Sequence, residues 1–310
     1  MGLGLSHIDK ASYDKGLAVV FSVLNPSWDP SRGGYYVADV QVYQPFHRGM
    51  PKLGSYFAQV WRRRSFVAEY SRSELRAQNF GSLFGQVWLI LNPLLLALVY
   101  FLLIMVIGGA ADGRRFAHLT SGLFLFYLVT NSLTMGAKSI TSGGKLILNS
   151  AFPRFVLPLS ATVISFFKFI PTLVVLAIIT LTLASPVSIN LLLLPVVIHL
   201  VLLLSLSLAL LFATLNVYFR DTKNFLPYLN RAWLYLSPVL YESSSLKPAL
   251  APLKYLNPLA PFIDSWSGIL VSGNSPSSTS WILMLSWSIG LFFIATYLFL
   301  SREREFALRI

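Results

Sequence analysis

The rhythm of apolar and polar positions changes near residue 85. Upstream, Phe66, Tyr70, Ala77, Phe80 and Phe84 recur at helical spacing, while Glu69, Arg72, Arg76 and Asn79 fall on the other side of the same wheel. An apolar stripe opposite a basic one predicts a helix lying between acyl chains and lipid phosphates. Downstream, apolar runs fall near 86–108, 117–137, 155–184, 188–217, 225–241 and 281–301. About 20 helical residues cross a hydrocarbon core of about 30 Å, so the pattern predicts six transmembrane helices. The fifth run is short, holds Arg231 and is punctuated by Pro227 and Pro238. Behind it, Pro248, Pro252, Pro258 and Pro261 precede an apolar piece, Phe262 to Val271, too short to span. Irregular backbone at membrane depth must be buried in protein or line a wet cavity, which predicts short re-entrant helices between spans five and six.

The expected fold class is therefore an all-α membrane protein. Its domains read as an N-terminal extension over 1–58, an amphipathic interfacial helix over 59–84, a transmembrane domain over 85–301 and a tail over 302–310. The extension is punctuated by Pro and Gly, with a short strand-like run from Tyr35 to Tyr43. It lacks a basic start followed by an apolar core, so no cleavable signal peptide is expected.

Composition agrees: 55% hydrophobic residues against 12% charged ones is too apolar for a soluble domain of 310 residues. In a soluble chain a net charge of +12 would suggest nucleic acid. Here the cations flank the spans, where lipid and orientation account for them. Six spans with a cytoplasmic N-terminus put 19 Lys and Arg in cytoplasmic segments and only Arg114, Arg115, Lys247 and Lys254 outside. Both termini are thus expected in the cytoplasm. With no cysteine, thiolate chemistry and Cys metal sites are excluded, and His7, His47, His118 and His199 are too scattered to pair as metal ligands by local spacing. No GxxxxGK[ST] occurs; Gly143-Gly144-Lys145 continues with Leu146, without the hydroxyl a nucleotide-bound magnesium ion needs.

Four strings, RSELRAQNFGSLFGQVWLILNPLL (72–95), LILNSAFPRFVLPLSA (146–161), LNVYFRDTKNFLPYLNRAWLYLSPVLY (215–241) and KYLNPLAPFID (254–264), occur in an order and spacing that resemble the permeases of ABC-2 type polysaccharide exporters. The resemblance covers about residues 60–305. It implies a transport subunit without a catalytic site, working in the inner membrane as a homodimer with two copies of a separate ATPase that binds ATP and Mg, so no cofactor sits on this chain. The implied cargo is a polyprenyl-pyrophosphate-linked polysaccharide such as an O-antigen, a galactan or teichoic acid.

Candidate residues follow. In the loop between spans two and three, Lys145, Asn149, Phe152, Pro153 and Arg154 are the candidates for seating the ATPase: Phe152 as buried anchor, Pro153 fixing the exit, Arg154 pairing with an acid or a phosphate. An ordinary positive-inside loop is the plain alternative. Arg72 and Arg76, four apart, present forked donors that suit a lipid pyrophosphate at the cytoplasmic entrance. Lys168 lies deep in the third span, where charge is costly and marks function; it either binds the pyrophosphate or pairs across a helix interface. His199, near the middle of the fourth span, is expected to bond a neighbouring helix. Trp88, Tyr100 and Phe101 in the first span, with Trp233, Tyr235 and Tyr241 in the fifth, are candidates for a sugar-stacking channel wall, against a packing or interface-belt role. Two rival classes stay open: an ion-coupled carrier, which would need intramembrane carboxylates and paired repeats, and a membrane glycosyl- or phosphotransferase, which would need clustered acids at the cytoplasmic face.

Overall fold

The computed structural model describes residues 26–29, 34–37, 52–78, 83–108, 112–144, 153–184, 188–243, 248 and 252–309. It divides into two compact units, Met1–Gly49 and Met50–Ile310. In the first, β1 (Pro26–Asp29) pairs antiparallel with β2 (Gly34–Val37), Pro26 opposite Val37 and Asp29 opposite Gly34.

The second unit is helical. Its elements are α1 (Leu53–Arg62), α2 (Arg64–Gln78), α3 (Trp88–Gly108), α4 (Gly113–Ser142), α5 (Val156–Leu183), α6 (Leu194–Tyr218), α7 (Thr222–Leu236), α8 (Leu253–Leu256), α9 (Ala260–Ser272), α10 (Ser278–Arg302) and α11 (Phe306–Arg309). Local chemistry sets several ends. Asp112 caps α4 by accepting the Arg114 N–H at 3.0 Å, and Ser277 caps α10 through the Ser280 N–H at 3.1 Å. Gly273, at φ 67°, closes α9 in the left-handed conformation that a β-carbon disfavours.

Five helices, those carrying α3, α4, α5, α6 and α10, are long and apolar enough to cross a membrane among the described residues. α4 is the hub, packed against α5, α6 and α9, with Leu123, Leu125, Val129, Leu133 and Ala137 fully buried. Between apolar helices in lipid, close backbone approach replaces the hydrophobic drive, and small residues permit it. At Gly136 a β-carbon would stand 2.4 Å from the Ala209 Cβ of α6. α3 is the opposite case: only 6% of its spanning window is buried, and Leu95, Leu98, Val99 and Leu102 are exposed.

The fifth expected span differs. α7 has 15 residues, about 22 Å of rise, and its sequence mixes Lys223, Asn224, Asn230 and Arg231 into the apolar positions. Its length therefore falls short of a hydrocarbon core. The neighbouring helices nonetheless constrain its path. Asn190 Nδ2, before α6, donates to the Gly273 carbonyl at 2.6 Å, and Tyr218 Oη, ending α6, donates to Glu305 Oε2 at 2.5 Å, so α6 and α10 run parallel. The chain through α7, α8 and α9 returns from one end of that pair to the other.

α1 and α2 meet at Arg63, and the helical pair starts at Leu53. The face of this pair turned to the bundle is Tyr56, Val60, Val67 and Ser71, with Ser71 Oγ donating to the Ser160 carbonyl of α5. Phe66 and Tyr70, expected to lead the apolar stripe, flank that face half-buried and stack with ring centres 5.7 Å apart. Ser71 replaces them in the tightest contact because a small side chain lets two helices touch.

Candidate functional site

A cavity of about 480 Å³ opens where the end of α2 meets α3, α4 and α5. Its polar lining comes from four segments: Gln78, Asn92, Asn131, and Ser165, Lys168 and Thr172 of α5. The three α5 residues share a face because they are three and four apart. Ser165 and Thr172 give their hydroxyl protons to their own helix, to the Ala161 and Phe169 carbonyls at 2.9 and 2.7 Å. Pro93 in α3 and Pro171 in α5 lack an N–H, so the Leu89 and Phe167 carbonyls lose their helical donors beside the cavity. Trp88, Leu96, Phe124, Tyr127 and Phe169 complete the wall.

Lys168 is the cation of this cavity. Its Nζ lies 3.9 Å from Met135 Sδ, a weak acceptor, and among the described residues no carboxylate stands within ion-pair distance of it. Glu74 of α2 is the acid whose field reaches it. A second cavity of about 250 Å³, lined by Tyr70, Glu74, Gln78, Met135 and Lys138, shares Gln78 with the first and meets Lys168 at Met135. An ammonium among amides and aromatic rings, without a bonded carboxylate, can hold a phosphate oxygen at membrane depth.

The other predicted residues are dispersed. Lys145, Asn149 and Phe152 lie outside the described residues. Pro153 is buried. Arg154, expected to pair with an acid or a phosphate, faces the acid Glu303 of its own chain: its N–H donates to Glu303 Oε1 at 2.6 Å and its guanidinium to the Glu303 carbonyl. Burial lowers the Arg154 pKa, opposed by Glu303 and Tyr56, while burial, then Glu303, pushes the Tyr56 phenol up. Arg72 and Arg76 sit on exposed positions of α2, outside both cavities, and Arg72 pairs with Glu69 at 3.1 Å. His199 departs from expectation: it is exposed on α6, with Nδ1 2.7 Å from the Pro195 carbonyl of its own helix.

The six aromatic candidates divide. Trp88 lines the Lys168 cavity, and the Tyr100 hydroxyl of α3 stands beside that of Tyr235 of α7. Phe101 packs edge-on against Phe116 at 4.9 Å. Trp233 is committed to packing, with Nε1 donating to Asn257 Oδ1 at 2.9 Å and its ring set against Phe126. Tyr241 donates to the Leu236 carbonyl at 2.9 Å and lines a separate cleft of about 300 Å³ with Arg115, His118 and Glu242. Sequence reasoning passed over Phe225 and Tyr228, which are 60% and 69% exposed and continue the Tyr235 face of α7. The spacing, three residues from Phe225 to Tyr228 and seven from Tyr228 to Tyr235, was the available signal.

A bundle with five helices long and apolar enough to cross a membrane, enclosing a cavity that holds one lysine, has the architecture of a membrane protein. The profile of the ABC-2 type transporter family matches residues 70–271, and the chain belongs to that family. It is 28% identical over 251 residues to the O-antigen export system permease protein RfbA of Myxococcus xanthus, covering 80% of this chain and 96% of that one. It is 26% identical over 204 residues to a protein of the same name from Klebsiella pneumoniae, covering 66% and 79% respectively. These relatives are named as transport permeases, not as enzymes.

Proposed function

We propose that two copies of this chain, with two copies of a separate ATPase that binds ATP and Mg, move a lipid-linked polysaccharide such as an O-antigen or galactan out of the cytoplasm across the inner membrane. The Lys168 cavity carries this reading. It offers one cation, three amides and an aromatic wall beside the acyl region, the chemistry a polyprenyl pyrophosphate and its first sugars require. The O-antigen permeases among its relatives support the cargo class.

In this arrangement α1 and α2 lie on the cytoplasmic surface, with Arg72 and Arg76 turned toward arriving phosphates. The path from α6 through α7 to the re-entrant α8 and α9 makes the sixth crossing, so both termini are cytoplasmic. The exposed faces of α3 and α7, which include Leu95, Val99, Phe225, Tyr228 and Tyr235, line the passage between the two copies. Residues 145–154 take up the motion of the ATPase, with Phe152 as the anchor. Depletion of the protein followed by lipid-linked glycan analysis tests the reading. Accumulation of one lipid-linked polymer on the cytoplasmic side is expected; an unchanged glycan pool and distribution refutes it.

A further inference from the structure

Three segments far apart in sequence converge on one buried carboxylate. Glu303, just beyond α10, is 7% exposed. It accepts the Arg154 N–H at 2.6 Å and stands beside the Tyr56 hydroxyl of α1, which accepts the Phe155 N–H at 3.3 Å. Aromatic rings bind the same place together: Tyr56 with Phe57, Phe57 with Phe155, Phe155 with Phe299 and Phe299 with Phe306, at centroid distances of 5.8, 5.6, 6.2 and 5.2 Å. The following residues are fastened to α6, since Glu305 accepts from Tyr218, the Arg309 guanidinium lies 4.3 Å over the Tyr218 ring and Arg220 donates to the Arg309 carbonyl.

This construction exceeds what tethering a chain end requires. A buried carboxylate is costly unless its oxygens are bonded. Here one oxygen holds the backbone of the residue that immediately follows the 145–153 segment, so the side chain grips a main-chain N–H that no substitution at Arg154 other than proline would remove.

We propose that Glu303 is a positioning residue for transport: it clamps Arg154 and Phe155 to α1 and to the end of α10, so a displacement of residues 145–153 reaches both helices together. The clamp rests on the reading of that segment as the ATPase seat. Without it, the segment moves while α1 and α10 stay behind, and ATP is hydrolysed without transport.

The test uses the full chain assembled with its ATPase, measuring assembly, ATP hydrolysis and polymer export on the same preparation. Glu303→Ala leaves the Arg154 N–H without its acceptor and removes the carboxylate beside the Tyr56 hydroxyl, and export per ATP is expected to fall by about tenfold or more while hydrolysis persists. Glu303→Gln keeps an acceptor oxygen and restores export per ATP to within about threefold of the parent. Assembled Glu303→Ala exporter with an unchanged export-to-hydrolysis ratio overturns the proposal, including one in which hydrolysis and export fall together, which marks a staple only. Should Glu303→Ala fail to assemble, Tyr56→Phe decides: a lowered ratio supports the clamp, an unaltered ratio overturns it. Phe152→Ala separates the underlying reading, because normal coupling in that variant removes the ATPase seat from this segment whatever the Glu303 variants do.

Discussion

Lys168→Met isolates the chemistry of the main cavity. The substitution preserves an unbranched side chain of similar length and removes only the charge. Lys168 Nζ has no bonded carboxylate among the described residues and touches Met135 Sδ at 3.9 Å, so little native bonding is lost. Removing a lysine from the middle of a span even relieves a cost of about 2.5–3.5 kcal/mol on insertion scales. The bundle is therefore expected to assemble as well as the parent. Binding is different: a hydrogen bond to a charged group contributes about 1.5–3 kcal/mol, and every 1.4 kcal/mol is about tenfold in affinity. Coulomb attraction at about 4 Å with an effective dielectric of about 20 sets an upper limit near 4 kcal/mol. A loss of roughly 10- to 150-fold in affinity for a polyprenyl-pyrophosphate glycan follows, measured by titration into the transporter held in lipid nanodiscs. Lys168→Arg, which keeps the charge, should recover most of it. Parent-like affinity and export in Lys168→Met would show that the cation does not meet the phosphate.

Other expectations rest on single contacts. Gly136→Ala forces a β-carbon to 2.4 Å from Ala209 Cβ and should cost about 1–3 kcal/mol through overpacking of α4 on α6, read as a lower thermal midpoint in detergent. Trp233→Ala should act on stability, because the indole bonds Asn257 and packs on Phe126. The double change Tyr228→Ala with Tyr235→Ala should instead lower export with assembly intact, about 0.5–1.5 kcal/mol per lost ring contact; the reverse assignment from melting curves and export rates contradicts the wall placed on α7.

Much of the architecture was legible because membrane helices declare themselves by uninterrupted apolar length. α3, α4, α5, α6 and α10 all coincide with runs visible in the sequence. α7 was harder, since its 15 residues interleave Lys223, Asn224, Asn230 and Arg231 with aromatics, and its path follows from contacts of its neighbours. The packed face of α2 was displaced because Ser71 makes the close contact with Ser160, and hydrophobicity cannot signal packing by small side chains. Lys168 was conspicuous as a charge in an apolar run, and its cavity with Trp88 joins two residues the sequence kept in separate roles. Glu303 stayed hidden: in Arg302-Glu303-Arg304-Glu305 it reads as one of four solvated charges, and its partner Arg154 is 149 positions away.

Reconstitution tests the central claim most directly. The chain and its ATPase are placed in sealed vesicles loaded with a lipid-linked O-antigen-type polymer, and the polymer crossing the bilayer is followed with a membrane-impermeant glycan probe. Movement that requires ATP, and that falls in Lys168→Met while hydrolysis continues, is the predicted result. Hydrolysis without any polymer movement in the parent protein, or movement driven by an ion gradient with no ATP present, would contradict the account.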